Sequence, residues 1–151
     1  MSITPEERAR RSAEALWAGD RASQAMGMAI EAVGPGTATV SMTLRPDHLN
    51  GHGTAHGGIV FTLADSAFAF ACNSRNQRAV AQHAVITFIS AGRGGERLLA
   101  TAREAALAGR SGTYDVTVTG EDGRTVAIFQ GLSRIVGGTH FDENENGEAA
   151  P

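Results

Sequence analysis

Between His56 and Asn73 runs a stretch that an ordinary surface helix could not accommodate: His-Gly-Gly-Ile-Val-Phe-Thr-Leu-Ala-Asp-Ser-Ala-Phe-Ala-Phe-Ala-Cys-Asn. Phe61, Leu63, Phe68 and Phe70 fall on different sides of a 3.6-residue helix with alanines between them, so the spacing predicts a helix apolar nearly all round, which must be buried. No apolar run in the chain is long enough to span a bilayer. The cover must then be protein, most simply a sheet curled around the rod. Into this rod is set one carboxylate, Asp65, whose neighbours at three and four residues are Phe61, Thr62, Phe68 and Ala69. A buried carboxylate without a partner either takes up a proton or is kept for chemistry.

The remaining segments supply the sheet. Thr4 as N-cap, Pro5 at the first helical position and Glu6-Glu7 in the first turn start a helix to about Trp17 or Ala18, and Gly19-Asp20 ends it. Strands are predicted at Met28 to Val33 and Thr37 to Leu44, the second alternating Val40, Met42 and Leu44 with Thr39, Ser41 and Thr43. Four more follow at about Ala79 to Ser90, Glu96 to Ala108, Ser111 to Gly120 and Arg124 to Val136. Their short glycine-containing connections predict antiparallel neighbours in chain order, with Val126 to Phe129, apolar on both faces, in the middle of the sheet. The element order predicts an α+β domain in which an antiparallel sheet wraps one long central helix. We divide the chain into an N-terminal helix and linker (1–23), the main domain (24–138) and a flexible acidic tail (139–151). The open edges of such a sheet favour self-association as a dimer.

At 151 residues the chain suits one domain. A net charge of −3 without a cluster of Lys and Arg argues against a nucleic-acid partner. The single cysteine, Cys72, excludes an internal disulfide framework and sits in the apolar rod as inert core; the first residues lack the apolar centre of a signal peptide, so a cytoplasmic protein with no membrane partner is expected.

The candidate chemistry clusters at the start of the central helix. Gly57 and Gly58 leave bare the first backbone N–H groups, where the helix dipole is positive, and such a terminus can hold an anion or polarise a carbonyl oxygen. The same glycines would also serve close packing against a strand. Asp65 would act as general base for a water or as nucleophile, against the alternative of a core aspartate hydrogen-bonded to backbone. It lies eight residues from Gly57, about 12 Å along the helix axis. The two cannot reach one carbonyl carbon within a single chain, so a shared site must form between protomers. Asn50 could orient water or a substrate carbonyl, and His56 could fix the loop. His48, His52 and His56 recur every four residues, but the intervening Gly51 and Gly53, with Gly57 next to His56, disfavour a helical metal face, and no metal is expected. Arg93 and Arg110 stand in glycine-flanked loops, where a guanidinium could meet a ligand phosphate or simply be solvated.

Asn50-Gly51-His52, His56-Gly57-Gly58, Phe61 to Ala69 and Ala71-Cys72-Asn73-Ser74 resemble the hot-dog-fold thioesterases of the PaaI (phenylacetate degradation) type, and the likeness continues through Gly112-Thr113-Tyr114-Asp115 and Thr125 to Phe129. It spans roughly Gln24 to Gly138. The resemblance implies hydrolysis of acyl-CoA thioesters, typically phenylacetyl-CoA and its ring-hydroxylated derivatives, with CoA as part of the substrate and no cofactor. It also implies Asp65 as the catalytic carboxylate, Gly57 and Gly58 as donors to the thioester oxygen, and Asn50 and His56 as aids to placement. It further implies Arg110 near the CoA phosphates, which Arg93 in its own glycine-flanked loop could also meet, and a tetramer built from dimers. Two rivals share the architecture: an enoyl-CoA hydratase or dehydratase, and a domain that binds acyl-CoA without turning it over.

Overall fold

The computed structural model describes residues 2–145. Thr4 Oγ1 accepts from Glu7 N to open α1 (Pro5–Gly19), which buries Ala9, Ser12 and Ala13 and sets Trp17 against Phe70. Asp20 then opens a second short helix, α2 (Arg21–Ala25). Strands β1 (Met28–Gly34) and β2 (Thr37–Thr43) lead through a 3-10 turn at Pro46–His48 into α3 (Gly57–Cys72). β3 (Ala79–Phe88), β4 (Arg97–Ala108), β5 (Ser111–Thr119) and β6 (Thr125–Ile135) complete the chain. The predicted strand boundaries agree to within two residues. The sequence reading missed α2 and the 3-10 turn, both too short to show a period.

All pairings are antiparallel, in the order β1-β2-β4-β5-β6-β3, so the protein is an α+β hot-dog domain with α3 lying in the curl of one sheet. Val40, Met42, Ala100, Ala102, Val116 and Phe129 face Leu63, Ala64, Ala67 and Phe68 across a dry core. Each large side chain so buried contributes roughly 1.5–3 kcal/mol. At the end of α3, Asn73 Nδ2 donates to Ala69 O and Ala79 O while its Oδ1 accepts from Ala79 N, closing the helix and aiming the chain into β3.

Strand order departs from the expectation. β3 pairs with β6 at the far edge, not with β4. The glycine-rich connection 91–95 is therefore a crossover along the sheet's end, and its glycines serve close approach: a Cβ on buried Gly92 would come within 2.9 Å of both Ala55 Cβ and Leu44 Cδ1. β6 accordingly lies beside the edge strand rather than mid-sheet, and Ile128 on its outer face is half exposed.

The burial of α3 also differs. Val60, Leu63, Ala64, Ser66, Ala67, Phe68, Phe70 and Ala71 are buried, whereas Gly58 is exposed and Thr62, Asp65, Ala69 and Cys72 are only partly covered. These five recur at three and four residues and form one flank, because a single sheet cannot close on itself around a helix. Nor does the segment after Gly138 fray over its described part. Asn76 Oδ1 accepts from His140 N and Phe141 N, Arg8 pairs with Glu143 at 2.7 Å, and Arg11 lies over the Phe141 ring. The remainder of the expected acidic tail, 146–151, lies outside the described residues. Among those described, no helix is long and apolar enough to cross a membrane.

Candidate functional site

The loop from Arg45 to His56 is built around Asn50. Its Oδ1 accepts from His52 N at 2.9 Å, Thr54 N at 3.2 Å and Thr54 Oγ1 at 3.3 Å, while Asn50 N donates to Thr54 O. The carbonyl oxygen of the side chain is thus spent on the loop, and its NH2 is the end left to meet a ligand. The loop is pinned to the crossover by Ala55 N donating to Gly92 O. Loop, crossover and β3 end together border an open cleft of about 410 Å3 lined by Asn50, Gly57, Phe88, Ser90 and Gly92 among others.

His56 caps α3: its Nδ1 accepts from Gly58 N at 2.9 Å, and its backbone oxygen accepts from Ile59 N and Val60 N. With Nδ1 an acceptor, the ring proton sits on Nε2. Gly58 therefore differs from its expected role, since the imidazole already holds its N–H. Gly57 N is the first-turn amide without an acceptor among the described residues, and it opens into the cavity. Over it lies the half-exposed ring of Phe88, close enough that a Cβ at Gly57 would meet Cζ at 3.0 Å. The sequence reading overlooked Phe88 because an aromatic at a strand end resembles any core residue.

Asp65 stands two turns further along, on the open flank of α3, with no hydrogen-bond partner among the described residues. Burial raises its pKa, and the negative charge of Asp20 pushes it the same way. It is not among the residues that line the Gly57 cavity, in keeping with their axial separation. Cys72 on the same flank is pushed up to about 12, chiefly by burial, and is not a nucleophile at neutral pH. Arg93 lies in the crossover, its backbone bridged to Thr54, at the Gly57 end of the sheet. Arg110 sits in the β4–β5 turn at the opposite end, so one chain does not bring the two guanidiniums together. His48 lies in the 3-10 turn and His56 at the helix cap; among the described residues no three His, Cys, Asp or Glu side chains cluster as a metal site.

The arrangement offers a polarising amide in a partly apolar cleft and a proton-seeking carboxylate on an unfinished face, groups of the kind that acyl transfer can use. The Thioesterase superfamily model matches residues 52–127. The chain is 40% identical over 132 residues to the acyl-coenzyme A thioesterase PaaI of Escherichia coli strain K12, covering 87% of this chain and 94% of that protein. The solved structure of the E. coli PaaI protein, from the phenylacetic acid degradation operon, superimposes with a TM-score of 0.88 at 39% identity, covering 90% of this chain and 99% of that one. A hypothetical thioesterase from Streptococcus pneumoniae, solved with coenzyme A, matches with a TM-score of 0.72 at 25% identity over 75% of this chain and 88% of that one.

Proposed function

The chain belongs to the thioesterase superfamily and is an acyl-CoA thioesterase, and we propose that its substrate is phenylacetyl-CoA or a ring-hydroxylated phenylacetyl-CoA. The likeness to a protein of a phenylacetic acid degradation operon across nearly its whole length supports this acyl group, as does the aromatic wall that Phe88 gives the cavity.

The observation that carries the mechanism is the free Gly57 amide in a cavity, with Asp65 unpaired eight residues along the same helix. In the proposed reaction the thioester oxygen accepts from Gly57 N of one protomer. Asp65 of a second protomer takes a proton from water as its oxygen attacks the carbonyl carbon, and negative charge collects on the oxygen at Gly57. The C–S bond then breaks, the carboxylic acid forms, and Asp65 returns its proton to the departing CoA thiolate. Asn50 Nδ2 and the loop capped by His56 place the acyl group, and Arg93 of one chain and Arg110 of another meet CoA phosphates. No metal or redox group is needed. Dimers form through exposed β3, where Val80 and Val85 are half open to solvent, and dimers pair into a tetramer in the cytoplasm.

Thiol release measured across aromatic, short-chain and long-chain acyl-CoAs tests the reading, with aryl-acetyl thioesters expected to be preferred. Asp65→Asn should keep the fold and lose about 10²-fold or more in kcat. Near-normal turnover by that variant would remove Asp65 from the mechanism, and loss of enoyl absorbance without thiol would point to a hydratase.

A further inference from the structure

Asp20 closes α1 and opens α2. Its Oδ1 accepts from Ser23 N at 3.0 Å, and its Oδ2 accepts from Ser23 Oγ at 2.6 Å. Having spent its single proton there, the Ser23 hydroxyl must accept from Ser66 Oγ, 2.8 Å away. Ser23 and Ser66 are both buried, at 2% and 7% exposure. Ser66 is the residue after Asp65. A hydroxyl relay thus ties a carboxylate on the neighbouring helix to α3 one residue from the candidate base.

We propose that Asp20 is a positioning residue for thioester hydrolysis: anchored by Ser23 and Ser66, its fixed negative charge sets the field in which Asp65 gains and loses a proton. The inference rests on the mechanism above. A carboxylate at its ordinary pKa is a weak base at neutral pH, and a second negative charge held nearby, without competing for the same proton, makes it a stronger one. The other titratable or charged groups facing α3 do not replace it. Cys72 on its own flank and Tyr114 on β5 are both pushed up to about 12, chiefly by burial, and stay neutral. Glu104 on β4 is paired with Arg75 at 2.6 Å. His140 hydrogen-bonds Asn73 beyond the end of the helix, and it shares with Arg78 and Asp20 a cavity of about 440 Å3.

The test uses Asp20→Asn, whose one amide oxygen keeps the cap to Ser23 N while its NH2 donates to Ser23 Oγ and turns that hydroxyl towards Ser66, so the link to α3 is kept and the charge is removed. The Asp65 side-chain carbon is titrated by 13C NMR in the intact protein, and the pH dependence of kcat/KM is followed by thiol release. The Asp65 midpoint should fall towards the ordinary carboxylate value. The acid limb of kcat/KM should move down equally, with plateau kcat lowered about twofold. Ser66→Ala, which cuts the relay, should shift both in the same direction by less. An unshifted Asp65 midpoint in Asp20→Asn overturns the inference, as does a uniformly slower enzyme with an unmoved acid limb. If the wild type releases no thiol from any acyl-CoA, the reaction is wrong, and the NMR titration still decides whether Asp20 governs Asp65.

Discussion

Glu96 holds the crossover that walls the Gly57 cavity, and replacing it by glutamine should loosen that wall. Each of its oxygens accepts twice: Oε1 from Arg93 N at 3.0 Å and Arg124 Nη2 at 2.6 Å, Oε2 from Glu121 N at 3.2 Å and Arg124 Nη1 at 2.6 Å. Arg124 Nη2 also donates to Ala91 O, so one ion pair clamps both ends of the connection. A glutamine has one acceptor where four donors converge in two pairs, and its NH2 would face an N–H pair, leaving two donors unmet. Breaking a buried pair of this kind costs about 3–5 kcal/mol, but Arg124 keeps a fifth of its side chain open to solvent, so about 2 kcal/mol is the reasonable expectation. For a chain of this size that lowers Tm by about 4–8 °C. The pH dependence carries a sign. The Arg124 guanidinium lowers the Glu96 pKa from 4.5 to about 2, so the stabilisation is complete above the unfolded-state value and is lost as pH falls through about 2. Urea unfolding followed by the fluorescence of Trp17, packed on Phe70, reads this directly. Wild type should exceed Glu96→Gln at pH 7, and the gap should close between about pH 5 and pH 2. Equal midpoints at pH 7, or a gap unchanged at pH 3, would refute the clamp.

Two further outcomes follow from packing and burial. Gly131 lies under Phe68, where an added Cβ would come within 2.8 Å of Cε2 and Cζ, and that ring is already hemmed in by Tyr114 and Phe129; Gly131→Ala should cost about 1–3 kcal/mol in denaturant unfolding. Because burial raises the Asp65 pKa, its ionised form is a cost that is absent at pH below the ordinary carboxylate value and grows as pH rises through the folded one. Asp65→Asn should therefore have the higher unfolding midpoint at pH 7, with no advantage at pH 3.

The central helix, the six strands and the separation of Gly57 from Asp65 were all legible in the sequence, because each rests on a period or a count along one chain. Strand order was not. A run such as Ala91-Gly92-Arg93-Gly94-Gly95 has the same composition whether it turns a hairpin or crosses the sheet, and only the close contacts of Gly92 with Leu44 and Ala55 distinguish the two. The open flank of α3 was hidden for a related reason. Gly58, Ala69 and Cys72 are small enough to suit a packed face or a bare one, so the hydrophobic pattern does not tell them apart. Asp20 read as a helix stop, although an aspartate is equally a common N-cap, and that second meaning would have pointed to α2.

A helix covered on every side would leave Asp65 with its charge sealed in hydrocarbon, where it would be neutral and idle. The single sheet leaves the Thr62–Asp65–Ala69–Cys72 flank short of full cover, so the carboxylate keeps enough contact with solvent to ionise, while burial and Asp20 keep it a better base than a surface aspartate. The cleft at the other end of α3 is bordered on its own chain by the crossover and by half-exposed Phe88 but opens to solvent, and its free amide would polarise a carbonyl most once a bound substrate and a second protomer exclude water. One helix therefore carries two groups that are each left partly open by their own chain, set apart by about 12 Å of its length. In the proposed assembly the chemistry is completed when the amide end of one α3 meets the half-open flank of another, so subunit contact and catalysis stand or fall together.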